Sequence, residues 1–146
     1  MHNIVAEDDV IIRASQVILD PETDPERYAA IMDYYRVDLP DFDGWVDSVR
    51  RASGALFPAR FEMVSKIEAY HEAIADADGI ICESLPVGEG ELGRAPNLKI
   101  VQKFGTDTRN IDLDACKKRG VTIKVLRRRV NIAVAEHAFA TLLAMA

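Results

Sequence analysis

Short apolar runs at residues 60–64, 78–82, 98–102 and 121–126 recur along the chain, with helix-forming stretches between them. This rhythm restricts the possible folds more than any other feature. A short apolar run bounded by turn signals has the length of a buried strand. A helix between two such strands supplies the long crossover that parallel pairing requires. The order therefore predicts an α/β fold, a parallel sheet with helices on both faces.

The region before residue 60 is less regular. Residues 3–6 and 10–19 both read as strand, and either could be the first core strand. Pro21 and Pro25 mark a loop, and Pro25-Glu26 opens a helix through about Tyr35. Pro40 breaks the chain, and residues 42–51 read as a second helix. Trp45 and Val49, four apart on one helical face, predict Trp45 as a core anchor. Ser65 and Glu68 have capping-box spacing for a helix running to about Ala75. A short helix is expected near residues 89–94, before Pro96. Asp112 caps a helix over 113–119 that ends at Gly120. The last stretch carries Ile132, Val134, Ala135, Ala138, Phe139, Leu142, Leu143 and Met145, leaving almost no polar stripe. A helix apolar all round requires cover. The helix could dock on its own domain, but further protein or self-association through this helix is expected to supply the cover.

Composition narrows the function classes. With 146 residues, 49% hydrophobic and 29% charged, the chain suits one ordinary globular domain. Cys82 and Cys116 are too few and too far apart for a disulfide framework. His2, His71 and His137 show no metal-binding spacing. The N-terminus is acidic and lacks a basic leader, which predicts a cytoplasmic setting. No apolar run is long enough for a membrane span, so no membrane partner is expected. The net charge of −6 combines an acidic excess before Lys99 with a basic excess after it. The basic residues are scattered and not interleaved with aromatics, which argues against a nucleic-acid partner.

Three segments could carry chemistry. Gly88-Glu89-Gly90-Glu91-Leu92-Gly93 matches the GxGxxG spacing of dinucleotide sites. Glu89 and Glu91 would set carboxylates beside the pyrophosphate, and the following helix is too short, so the match reads as a decoy. Glu7-Asp8-Asp9 ends an apolar run and could present oxygen ligands to a divalent ion, as in receiver-like signalling domains. No aspartate suited to accept a phosphoryl group ends a middle strand, so a solvated acidic loop is the plainer expectation. The segment from Gln102 to Leu113 joins a buried strand to a helix, where open α/β sheets bind ligands. Its small residues allow successive N–H groups to face an anion, although an ordinary βα loop reads equally well.

One ordered set then points to a family: Asn97-Leu98-Lys99-Ile100-Val101, Gly105, Asn110-Ile111-Asp112-Leu113, Arg119-Gly120-Val121 and Val134-Ala135-Glu136-His137-Ala138. Over residues 78–146 the chain resembles the D-isomer-specific 2-hydroxyacid dehydrogenases, in their catalytic, or substrate-binding, domain. The resemblance implies a flavodoxin-like parallel sheet of about five strands. Residues 1–130 would form the substrate-binding domain, and 131–146 would lead to a nucleotide-binding domain absent from this chain. The implied activity is NAD- or NADP-dependent oxidation of a D-2-hydroxy acid. The resemblance places the substrate carboxylate on backbone N–H groups near Thr106 and Asp107, with Lys103, Phe104 and Gly105 shaping the loop. Ser84, Leu85 and Pro86 would line the opposite lip, and Val134 and Ala135 would lie on the nicotinamide side.

Departures from the family pattern matter as much. Asp107 stands where a second glycine is usual, and Arg109 where an acid is common. Arg127, Arg128 and Arg129 replace a proline-containing stretch and could recognise a carboxylate or phosphate, or could equally be solvated or pair with the acidic half of the chain. The family's glycine-rich cradle and catalytic Arg, acid and His would lie beyond residue 146, and His137 reads as structural. No catalytic residue is therefore expected in this chain, which alone should be inactive and should bind no cofactor tightly. A non-enzymatic α/β module that binds an anion or a partner protein is the competing class.

Overall fold

Along β1 (His2–Glu7) the side chains alternate, with Ile4 and Ala6 buried in one cluster and Val5 in another. A strand with apolar groups on both sides must be covered on both faces. The computed structural model describes residues 1–128 and 130–145 and shows that cover. β1 lies inside a parallel sheet with β2 (Ala59–Val64), β3 (Gly79–Cys82), β4 (Ile100–Lys103) and β5 (Thr122–Val125), in the order β2-β1-β3-β4-β5. This is the expected α/β parallel sheet of five strands. The register pairs Ile4 with Phe61 on one side and with Gly79 on the other.

The helices divide between the two faces. α1 (Arg13–Leu19), α2 (Pro25–Arg36) and α3 (Phe42–Ala52) pack Val17, Met32, Phe42 and Val46 against Ile4, Ala6 and Phe61. α4 (Ile67–Ala73), α5 (Glu89–Arg94) and α6 (Leu113–Lys118) pack Tyr70, Leu92 and Cys116 against Val5, Ile80 and Val101. α7 (Val130–Ala144) follows, and every described side chain from Ile132 to Met145 is exposed. Among the described residues no helix is long and apolar enough to cross a membrane.

Local chemistry sets the helix ends. Asp24 accepts the Arg27 N–H, with Pro25 as the first helical residue of α2. Asp112 accepts the Ala115 N–H at the start of α6, and Gly120, at φ +72°, follows its end.

Three expectations need correction. Residues 10–19 are not a strand. Asp9 accepts the N–H groups of Ile11 and Ile12 and bends the chain into a turn that continues as α1. With β1 already filling the strand position, the Val-Ile-Leu run packs as a short helix instead. Trp45 is not a core anchor. Phe42 and Val46 take the buried face of α3, while Trp45 is 42% exposed and stacks on Phe42 with ring centroids 5.3 Å apart. Ser65 caps no helix, because α4 starts at Ile67 after Lys66 and has no side-chain cap.

Asp20 ties these layers together. Its Oδ2 accepts the N–H of Phe61 on edge strand β2 at 2.9 Å, and its Oδ1 accepts the N–H of Glu22. Asp20→Ala should leave the Phe61 N–H buried and unpaired. The expected loss is about 1–3 kcal/mol in urea unfolding, and Asp20→Asn should lose less.

Candidate functional site

In this strand order the chain runs from β1 outward to β2 and then crosses to β3 on the other side. The carboxyl ends of β1 and β3 therefore flank the topological switch point, where open α/β folds bind ligands. The segment after β3, residues 83–87, and the segment after β4, residues 104–112, meet there. An open hollow of about 370 Å³ between them is lined by Glu83, Ser84, Lys103, Asp107, Arg109 and Asn110.

The backbone of the first segment is held nearly atom by atom. Glu7, the last residue of β1, accepts the N–H groups of Glu83, Ser84 and Leu85 on one carboxylate oxygen, at 2.7, 2.7 and 3.1 Å. The Ser84 hydroxyl donates to its other oxygen. Lys103, the last residue of β4, is buried, and its ammonium donates to the Glu83 carbonyl and to Asn110 Oδ1. Asn110 Nδ2 donates to the Leu85 carbonyl at 2.6 Å. The Tyr70 hydroxyl donates to the Pro86 carbonyl at 2.9 Å. Val87 donates to the Asn110 carbonyl, and Asp112 donates back to the Val87 carbonyl. A loop beside a buried sheet end carries backbone groups that must be paired, and here side chains of β1, α4, β4 and the loop after β4 pair them.

Charges at the mouth are matched locally. Arg128 lies 2.9 Å from Glu83 and stacks 5.0 Å over the Phe104 ring. Asp107 receives the Arg109 guanidinium and the Arg109 N–H, which hold its carboxyl down to about 2. Burial raises the Glu7 carboxyl, but the Ser84 hydroxyl and the three backbone N–H groups outweigh it, and the net shift is downward. Burial pushes the Cys82 thiol beneath the site up to about 11, against the pull of Lys103. Both cysteines are free and buried.

The second loop is more open. Gly105 has φ +137°, a region costly for any other residue, and its carbonyl accepts the Leu126 N–H. A Cβ there would lie 3.6 Å from the Arg128 guanidinium. Thr106 and Asp107 are exposed. Among the described residues no hydrogen bond engages either backbone N–H.

The chain's resemblance to known proteins fits this architecture. A family model described as D-isomer specific 2-hydroxyacid dehydrogenase, catalytic domain, matches residues 49–146. The chain belongs to this family. The match starts in α3, well before residue 78, where the sequence pattern becomes clear. A D-3-phosphoglycerate dehydrogenase of Mycobacterium leprae is 42% identical over 74 residues, 49% of this chain and 14% of that protein. Among solved structures, a phosphoglycerate oxidoreductase from Vibrio cholerae covers 99% of this chain and 37% of its own, at TM-score 0.56 and 18% identity. D-Lactate dehydrogenase from Aquifex aeolicus, complexed with NAD and lactic acid, covers 97% and 33%, at TM-score 0.56 and 20% identity. These structural likenesses bear on the fold alone. The chain spans only a minor part of the length of each of these dehydrogenases.

Most of the residues singled out from sequence gather at this mouth. Ser84, Leu85 and Pro86 form one lip, and Phe104, Gly105, Thr106 and Asp107 the other, with Arg128 beside Gly105. Lys103 is buried, its ammonium donating to the Glu83 carbonyl before the first lip and to Asn110 Oδ1 after the second. Arg127 is exposed after β5, and Arg129 lies outside the described residues. Val134, Ala135 and His137 are exposed on α7. The GxGxxG segment holds Gly88 at the start of α5, where Glu91 Oε2 takes its N–H at 2.9 Å and Oε1 meets His71 at 3.0 Å. That N–H is closed to a phosphate. Each of the three acids at the end of β1 is engaged: Glu7 with the loop after β3, Asp8 by Arg13 and Arg27, and Asp9 by the turn before α1. Among the described residues no group of three His, Cys, Asp or Glu side chains could hold a metal ion.

Sequence reasoning missed the structural parts of Glu7, Tyr70 and Asn110. Glu7 at a strand end and Asn110 inside the family pattern were visible, but their common target, the backbone of 83–86, is far away in sequence.

Lys103→Met should remove two buried charge-assisted bonds and cost about 2 kcal/mol in urea unfolding. A carboxyl held below its ordinary value of 4.5 stabilises the fold fully above that pH, and the gain is lost as pH falls through the lower folded value. The stability gap between wild type and Glu7→Gln should therefore be constant near neutrality and shrink below about pH 4.5. A gap unchanged down to about pH 3 would contradict the assignment.

Proposed function

We propose that this chain is the substrate-binding portion of an NAD(P)-dependent oxidoreductase acting on the CH–OH group of a D-2-hydroxy acid. The observation that carries the reading is the loop after β4. It presents the unengaged N–H groups of Thr106 and Asp107 at the carboxyl edge of the sheet, inside the stretch matched by the family. Two adjacent backbone donors and a positive-φ glycine suit a carboxylate. Asp107 is compatible with that ligand because its charge is compensated by Arg109. Arg128 adds a guanidinium beside Gly105, and Ser84, Leu85 and Pro86 form the facing lip.

In the whole enzyme the nicotinamide cofactor would exchange a hydride with carbon 2 of the bound acid. The GxGxxG stretch would not cradle its phosphates, since the Gly88 N–H is taken by Glu91. What this chain supplies is binding and orientation of the acid. Val134 and Ala135 on α7 would contribute apolar surface on the nicotinamide side. Residues 1–130 would be the substrate domain and 131–146 the helix leading to a nucleotide-binding domain. Proton transfer and polarisation of the substrate carbonyl would fall to that domain, and this chain alone would be inactive. A cytoplasmic, metabolic setting accords with this reading.

Titration of the isotope-labelled protein with D-lactate and with 3-phosphoglycerate tests it. At least one should move the amide signals of Thr106 and Asp107 saturably, while NADH should not bind tightly. If neither acid shifts these amides, the chain is better read as an α/β interaction module using the exposed face of α7. Micromolar NADH binding would mean that a cofactor site lies within this chain.

A further inference from the structure

The convergence of three successive N–H groups on one oxygen is the geometry of an anion nest. In this fold it lies at the switch point between β1 and β3, on residues 83–85. The carboxylate in it belongs to the chain. Glu7 extends from the adjacent strand, and the Ser84 hydroxyl completes four donors on its two oxygens. No arginine or lysine is bonded to Glu7 among the described residues, so hydrogen-bond donors rather than a salt bridge hold the charge.

We propose that residues 83–85 form a carboxylate-binding site that this chain fills from within, with Glu7 as its tethered ligand and the positioning residue of the β3 lip. Glu7 sets the direction of the three N–H groups. Lys103 and Asn110 then take the carbonyls of Glu83 and Leu85 from the other side. The lip is thereby fixed before any ligand arrives, which reduces the ordering cost of binding. The consequence for substrate rests on the function proposed above. With this nest filled, an incoming carboxylate is left the loop at Thr106 and Asp107.

The test is chemical rescue. Glu7→Ala removes a CH2–COO⁻ unit, and acetate matches the space and charge left behind. In the variant, the amide signals of Glu83, Ser84 and Leu85 should lose their wild-type positions, and the melting midpoint should fall by roughly 5–10 °C. Sodium acetate in the millimolar range should restore those amide positions saturably and recover at least half of the lost midpoint. Sodium chloride at equal ionic strength and neutral acetamide should not. The proposal fails if acetate does no more than chloride, or if its effects do not centre on residues 83–85. If Glu7→Ala does not fold, Glu7→Gln decides. It keeps the shape and removes the charge, so the three amides should shift and the midpoint should fall. Wild-type amide positions and midpoint in Glu7→Gln would overturn the proposal. Failure of the substrate reading would instead appear as silent Thr106 and Asp107 amides in the wild-type titration, with acetate rescue intact.

Discussion

Residues 83–86 leave the buried sheet as a loop, and a loop at a sheet end has no strand partner for its backbone. The structure at the carboxyl edge depends on how that requirement is met. Glu7 takes three N–H groups, Lys103 and Asn110 take two carbonyls, and Tyr70 takes a third. These side chains come from β1, β4, the loop after β4, and α4. One short segment therefore ties two strands and a helix into a rim of defined shape. An unpaired donor or acceptor here would cost more than an average bond contributes. The clamp is thus sensitive to removal of any single partner.

This rim gives the mouth its electrostatic character. Each carboxylate there meets a guanidinium or a set of donors: Glu83 with Arg128, Asp107 with Arg109, and Glu7 with the loop. Repulsion of an acidic ligand is reduced accordingly, and the exposed N–H groups of Thr106 and Asp107 remain open. On the proposed function, a fixed lip facing a lip with free donors would hold a small acid in one orientation.

The alternation of apolar runs with helices was enough to read β2 to β5, α2, α3, α5 and α6 within a few residues. It failed where local signals compete. The run at 10–19 has strand composition, but the Asp9 side chain turns the chain and β1 already occupies the sheet. Trp45 has helical core spacing, but the face of α3 that meets the sheet runs through Phe42 and Val46. The loop from Phe104 to Asp107 could be picked out because it follows an apolar strand, and the lip from Ser84 to Pro86 because of the family resemblance. The partners of those loops could not.

Sequence by itself determined the periodicities, the Asp112 cap, the helix-ending Gly120 and the ordered motif that marks the family, because each depends on residues close together in the chain. Tertiary structure alone decided that Glu7 serves a loop more than seventy residues away, that Lys103 is a buried tie between two lips, and that Asp107 is neutralised by Arg109. These outcomes depend on strand order. Parallel pairing in the order β2-β1-β3-β4-β5 brings the ends of β1, β3 and β4 side by side, and only then does each side chain meet the backbone group it satisfies.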